Sequence, residues 1–138
     1  PGWWKGFGVF ANYTRLTTEG DYGTTGPRTT HLVPNFVPTT ANAGLSFPWR
    51  KLRARVLVNH TGEYLVGYST DRSRLRYKFE RTAANLNLSY VHSPRLEFYC
   101  DFQNMFNAHQ EWYYFSRDRL QGDYDNGAFV NLGISGRF

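Results

Sequence analysis

One cysteine, Cys100, and one methionine occur in 138 residues, so no internal disulfide forms and a zinc site built on paired thiolates is excluded. Lysine is almost as scarce, supplying 3 of the 16 basic side chains and leaving the rest to Arg. Long hydrophobic runs are missing. Stretches such as Gly8 to Ala11 fall far short of the ~18 apolar residues a membrane-spanning helix needs, and mean hydropathy is −0.57. Helical insertion is excluded; a crossing built from strands is not. No segment carries apolar residues at helical spacing between caps. Gly-x-Ser-x-Gly, phosphate-binding loops and cysteine paired with a histidine base are likewise absent, so the chain is not expected to be an enzyme or to hold a cofactor. The opening Pro1-Gly2-Trp3-Trp4-Lys5 lacks the charged start and apolar stretch of a secretory signal, which leaves a cytosolic protein or one whose front is missing.

Aromatics are plentiful. They make up 18% of the chain against a hydrophobic total of 41%, so apolar content sits in Phe, Tyr and Trp, as β-structure favours. Charged residues at 20% are too few for a disordered chain. The net charge of +5 is spread along the chain, and no nucleic-acid partner is expected.

Alternation of period two, the signature of a strand with one face buried, recurs along the chain. Over 7–15, Phe7, Val9, Ala11 and Tyr13 oppose Gly8, Asn12 and Thr14, with Phe10 the exception. Over 40–47, Ala41, Ala43, Leu45 and Phe47 oppose Thr40, Asn42, Gly44 and Ser46. Leu52, Ala54, Val56 and Val58 oppose Arg53, Arg55, Asn59 and Thr61, with Leu57 out of pattern. Leu86, Leu88 and Tyr90 oppose Asn85, Asn87 and Ser89. Leu96, Phe98, Cys100 and Phe102 oppose Glu97, Tyr99, Asp101 and Gln103. Last, Ala128, Val130, Leu132, Ile134, Gly136 and Phe138 oppose Phe129, Asn131, Gly133, Ser135 and Arg137. The spacing predicts six antiparallel strands of about ten residues, long enough to cross a bilayer at a tilt.

The connections alternate in length. Tight turns fall at 48–51 and 92–94, whereas 18–38, 63–80 and 108–127 read as long polar loops. Short turns on one side and long loops on the other suit an outer-membrane barrel. A soluble sandwich would alternate in the same way. The apolar face argues against it, because Trp3, Trp4, Phe47, Trp49, Phe98 and Phe138 gather at the short-turn end as an aromatic girdle would. Gly8, Gly44 and Gly133 on the polar face would permit curvature.

His31, His60, His92 and His109 are scattered without paired spacing, and no metal site is expected. Asn-x-Thr/Ser sequons at Asn12, Asn59 and Asn87 fall within strands and are poor acceptors. Two long loops carry chemistry. In 71–78, Arg72, Arg74, Arg76 and Lys78 would share one side if the strand continues above the membrane, forming either a solvated rim beside anionic lipid headgroups or a basic wall for an anionic ligand. In 111–115, Trp112, Tyr113, Tyr114 and Phe115 either pack the loop on itself or stack on a planar ligand. The ligand-binding candidates are therefore Trp112, Tyr113, Tyr114, Arg72, Arg74 and Arg76.

Phe138 on the apolar face, with Ile134, Leu132 and Val130 alternating behind it, resembles the C-terminal signal of bacterial outer-membrane barrels. Gly8-Val9-Phe10-Ala11-Asn12-Tyr13-Thr14, Thr40-Ala41-Asn42-Ala43-Gly44-Leu45-Ser46, Gly62-Glu63-Tyr64-Leu65 and Gln103-Asn104-Met105-Phe106-Asn107 follow in an order that resembles the end of TonB-dependent receptors. The resemblance covers essentially all of 1–138 and corresponds to the last six strands of a barrel of about 22 strands that encloses an N-terminal plug. It implies an all-β, antiparallel, up-and-down transmembrane barrel segment without the plug and earlier strands, in the bacterial outer membrane. It further implies uptake of a scarce nutrient such as a ferric siderophore or cobalamin. The partners it implies are outer-membrane lipid, the barrel assembly machinery acting on the last strand, and TonB through the missing N-terminal part. The alternatives are a small structural or adhesive outer-membrane barrel that transports nothing and a soluble ligand-binding β-barrel.

Overall fold

The computed structural model describes residues 6–23 and 29–136. Its strands are β1 (Gly8–Arg15), β2 (Thr39–Trp49), β3 (Leu52–Thr61), β4 (Tyr64–Gly67), β5 (Arg76–Lys78), β6 (Arg81–Ser93), β7 (Leu96–Gln103), β8 (Gln110–Tyr114), β9 (Leu120–Tyr124) and β10 (Phe129–Gly136). A 3-10 turn at Arg72–Arg74 is the only helical element among the described residues. A six-stranded sheet has the order β1-β2-β3-β6-β7-β10 and a four-stranded sheet the order β4-β5-β8-β9, and every pairing is antiparallel. The all-β antiparallel expectation therefore holds. The large sheet is open rather than a closed barrel, since β1 and β10 each have one partner.

Hairpin chemistry explains the short-turn end. Arg50 takes φ 54 in the two-residue link from β2 to β3, where such turns demand a positive φ. Pro94 begins the equally short β6–β7 link, its ring presetting the turn.

The register aligns like with like. Val9, Leu45, Val56, Leu86, Phe102 and Val130 form one row across all six strands. Phe47, Ala54, Leu88, Cys100 and Leu132 form a second, and Trp49, Leu52, Tyr90, Phe98 and Ile134 a third beside the tight turns. On the other face run Ser46, Arg55, Asn87, Asp101 and Asn131. Because a slip of one residue would exchange the faces, the two compositions lock the pairing. The apolar face is uncovered: Leu132 is 77% exposed, Ile134 65% and Val9 64%.

Two glycines on the polar face have a task that alternation does not suggest. A Cβ on Gly44 would overlap the Phe10 ring and crowd Leu57, and one on Gly133 would overlap the Tyr99 ring. Each leaves room for an aromatic from the neighbouring strand, which covers backbone that glycine would expose. Phe10 and Leu57, the two departures from alternation, thus meet over Gly44.

The stretches 63–80 and 108–127, read from sequence as polar loops, contain β4, β5, β8 and β9 instead. Thr61 pairs with Arg81 in the large sheet and Tyr64 with Lys78 in the small one, so both strands advance by equal steps across the gap. Moving up the next pair, from Leu86↔Phe102 to Lys78↔Trp112, the far strand advances ten positions while the near one advances eight. The surplus of two is taken up in the turn that carries Asn104 and Asn107, both at positive φ.

Candidate functional site

The small sheet divides the aromatic segment between two faces. Tyr113 is buried at 4% exposure, stacked on Tyr77 with centroids 5.2 Å apart and tilted against Phe79 at 4.7 Å. Leu65 and Leu75, 1% and 2% exposed, complete this core. Burial, followed by a hydrogen bond with Glu63, pushes the Tyr113 phenol far above its usual range. Arg117, in the β8–β9 turn, folds back so that Nη2 meets Glu63 at 2.7 Å and Glu80 at 3.1 Å, with its guanidinium 5.4 Å from the Phe79 ring.

The even-numbered face carries different chemistry. Arg76 lies opposite Tyr114, and Lys78 opposite Trp112. The Lys78 ammonium sits 5.1 Å from the Trp112 ring and donates to Gln110 Oε1 at 2.8 Å. Burial, and secondarily the charge of Arg81, hold that ammonium below its ordinary pKa. Tyr124 meets Trp112 edge-on at 4.9 Å. Arg76, Trp112, Gln121, Gly122 and Tyr124 line a recess of about 350 Å³.

Arg72 and Arg74 belong to neither face. Asp71 caps their 3-10 turn by accepting from the Ser73 backbone N–H at 2.9 Å, and its Oδ2 lies 3.4 Å from Arg74 Nε. Arg72 lies over Phe115, 5.4 Å from the ring centre. The expectation that Arg72, Arg74, Arg76 and Lys78 share one side of a strand is therefore corrected. The Asp71 cap diverts the backbone into a turn, and only Arg76 and Lys78 follow as neighbours on β5. Of the six candidates, Arg76, Trp112 and Tyr114 come together, Tyr113 faces the opposite way, and Arg72 with Arg74 occupies the hairpin tip.

Val130, Leu132 and Ile134 share the apolar face of the edge strand β10. Phe138, like Trp3, Trp4 and Arg137, lies outside the described residues. The other histidines hold local partners: Nδ1 of His60 is 2.8 Å from Thr82 Oγ1, and His92 lies against Tyr90 and Phe98. No cluster of metal-ligating side chains occurs among the described residues.

The candidate list omitted Asn104 and His109. Asn104 is buried and takes φ 52; its side chain accepts from Ala108 N–H at 2.9 Å and donates to Gly127 carbonyl at 2.9 Å. His109 Nδ1 meets Asp123 Oδ2 at 2.8 Å, a hydrogen bond that raises its pKa. Two asparagines three positions apart, Asn104 and Asn107, are the sequence signal for such a turn, since Asn tolerates positive φ and bonds to nearby backbone.

No family model, curated protein or solved structure matches this chain.

Proposed function

We propose that the chain forms the C-terminal barrel wall of a TonB-dependent outer-membrane receptor that admits a scarce nutrient, such as a ferric siderophore or cobalamin. One observation carries this reading: apolar rows cross every strand of a sheet whose apolar face is uncovered, while polar rows occupy the other. A soluble protein has no cover for such a face; lipid is the cover it fits. From Leu52 to His60 the strand rises roughly 27 Å, or about 20 Å in height at a tilt near 40°, close to the ~25 Å apolar band of such barrels. Trp49, Tyr90 and Phe98 mark the short-turn rim as interfacial aromatics do. Open edges at β1 and β10 suit pairing with further barrel strands, because unpaired backbone is costly in lipid.

In this reading Arg55, Asn87 and Asp101 line the lumen, and the tips bearing Arg72, Arg74 and Phe115 meet an anionic ligand from outside. Val130, Leu132, Ile134 and Phe138 present the last strand to the assembly machinery. Cysteine labelling of the full-length protein in cells tests it, in a Cys100→Ser background with Val56→Cys or Asn131→Cys. The Asn131→Cys thiol should react with a water-soluble maleimide and the Val56→Cys thiol should resist it until detergent is added. Equal reaction at both would overturn the membrane assignment. Uptake that persists in cells lacking TonB would overturn the receptor assignment and favour a barrel with another role.

A further inference from the structure

The two arms of the β1–β2 connection, 16–23 and 29–38, are fastened to each other and to the small sheet. The Leu16 N–H donates to the Pro38 carbonyl at 2.8 Å and the Gly20 N–H to the His31 carbonyl at 2.9 Å. The Asn35 N–H donates to the Leu65 carbonyl of β4 at 2.7 Å, and Thr29 Oγ1 donates to the Ser69 carbonyl at 2.7 Å. Tyr22 stacks on Tyr68 with ring centres 3.8 Å apart and donates its hydroxyl to the Leu32 carbonyl. Asn35 takes φ 60, a conformation Asn tolerates, in a turn where the Phe36 N–H donates to the Val33 carbonyl at 3.3 Å. Backbone bonds thus hold both arms in place, as the walls of a preformed ligand pocket are held.

Between these arms and β4 lies a recess of about 410 Å³, a size that suits a small molecule. Leu16, Leu32, Val33, Phe36 and Leu65 supply its apolar lining. Leu16 is 50% exposed and Leu32 45%, so the recess presents apolar surface that its own walls do not cover. Two charged groups, Arg15 and Glu63, also line it, and they are not equivalent. Glu63 is already answered by Arg117 Nη2 at 2.7 Å and by the Tyr113 hydroxyl. Arg15 forms no ion pair among the described residues. Its cross-strand neighbour Thr39 lines the recess too and adds a neutral hydroxyl donor. The unanswered charge on a chiefly apolar recess is therefore positive.

We infer that this recess binds a small carboxylate with an apolar or aromatic body, the carboxylate on Arg15 and the body against Leu16, Leu32 and Phe36. The planar guanidinium fork matches the two oxygens of a carboxylate, and such charge-assisted bonds are about twice as strong as neutral ones. Burial of the body against the leucines adds a term that does not depend on charge. An amine of the same shape gains only that second term and is opposed by Arg15, while Glu63 offers it nothing that Arg117 does not already hold. The inference is local to the β1–β2 connection and β4, so it stands apart from the tip arginines and does not rest on whether the large sheet meets lipid.

The test is equilibrium dialysis of the purified full-length protein against cinnamate and cinnamamide, which differ in charge and little in shape. Wild-type protein should bind the acid about tenfold or more tightly than the amide, the difference expected of one charge-assisted hydrogen bond. Arg15→Gln should bring the acid down to the affinity of the amide and leave the amide unchanged. Leu32→Trp, which fills the recess, should weaken both by about tenfold or more; Leu16→Trp, on the facing arm, repeats this arm of the test if Leu32→Trp does not fold. Arg95→Gln, in the β6–β7 turn, should change neither. Equal affinity for acid and amide, or acid binding that Arg15→Gln leaves intact, overturns the assignment of Arg15 and with it the carboxylate. Binding that survives the filled recess, or a wild type that binds neither compound, overturns the recess as a site.

Discussion

Asn104 and Asn85 are joined where the large sheet gives way to the small one: the Asn104 N–H donates to Asn85 Oδ1 at 2.9 Å. Met105 N–H donates to the Ala84 carbonyl beside it, also at 2.9 Å. The chain leaves β7 on this anchor and re-enters as β8 with two surplus residues, so the offset between the two strands is made here. Replacing Asn104 with Ala removes bonds to Ala108 and Gly127 and retains a positive φ that Ala adopts poorly. We expect a loss of about 2–4 kcal/mol. Asn104→Gly should recover only the conformational part, and unfolding titrations of the pair separate the two contributions.

An Arg in place of Val56 enters the middle of the row from Val9 to Val130. It should cost about 2–4 kcal/mol in a bilayer. An Arg in place of Asn131, whose neighbour across the strands is Asp101, should cost little. Equal costs in reversible unfolding from lipid would refute the assignment of faces.

Tyr113 packs between Tyr77 and Phe79 with its hydroxyl beside Glu63. Tyr113→Phe keeps the ring and should cost about 1 kcal/mol, whereas Tyr113→Ala empties the small core and should cost about 3–5 kcal/mol. Thermal unfolding of the full-length variants reads both. A null effect of the Ala variant would mean that this core does not support the small sheet.

The His109–Asp123 contact has a defined pH dependence. The folded pKa of His109 lies above its unfolded value of about 6.5. The contact's stabilisation is therefore full below that value and is lost as pH rises through the elevated folded pKa. Hydrogen exchange along β8 and β9 should quicken over that window. His109→Gln should remove the pH dependence, and exchange that stays flat in the wild type would contradict it.

The long strands were legible because each has one uncovered apolar face and one polar face, which writes period two into the sequence. Residues 64–67, 76–78, 110–114 and 120–124 were not. These strands are short and carry aromatics or charges on both faces, as Lys78 and Tyr77 do, so alternation of hydrophobicity vanishes while alternation of geometry persists. β6 is longer than its apolar alternation for a related reason: Arg81, Thr82 and Ala83 pair with β3 without contributing large apolar groups. The basic segment departs from a continuous strand because an Asp–Ser cap outweighs strand propensity over three residues. Among the site residues, Trp112 and Tyr113 were singled out for being aromatic, and only the register shows that they face apart.

Along the large sheet, spatial order follows chain order: each long strand lies beside the next long strand in the sequence, and the small sheet grows from two of the hairpins without altering that succession. The large sheet is therefore modular in width. A hairpin added or removed at either flank leaves every other pairing as it was and requires no segment to pass through another. Width and outer-tip chemistry can consequently vary independently, one through the number of hairpins and the other through what each hairpin carries beyond the last apolar row.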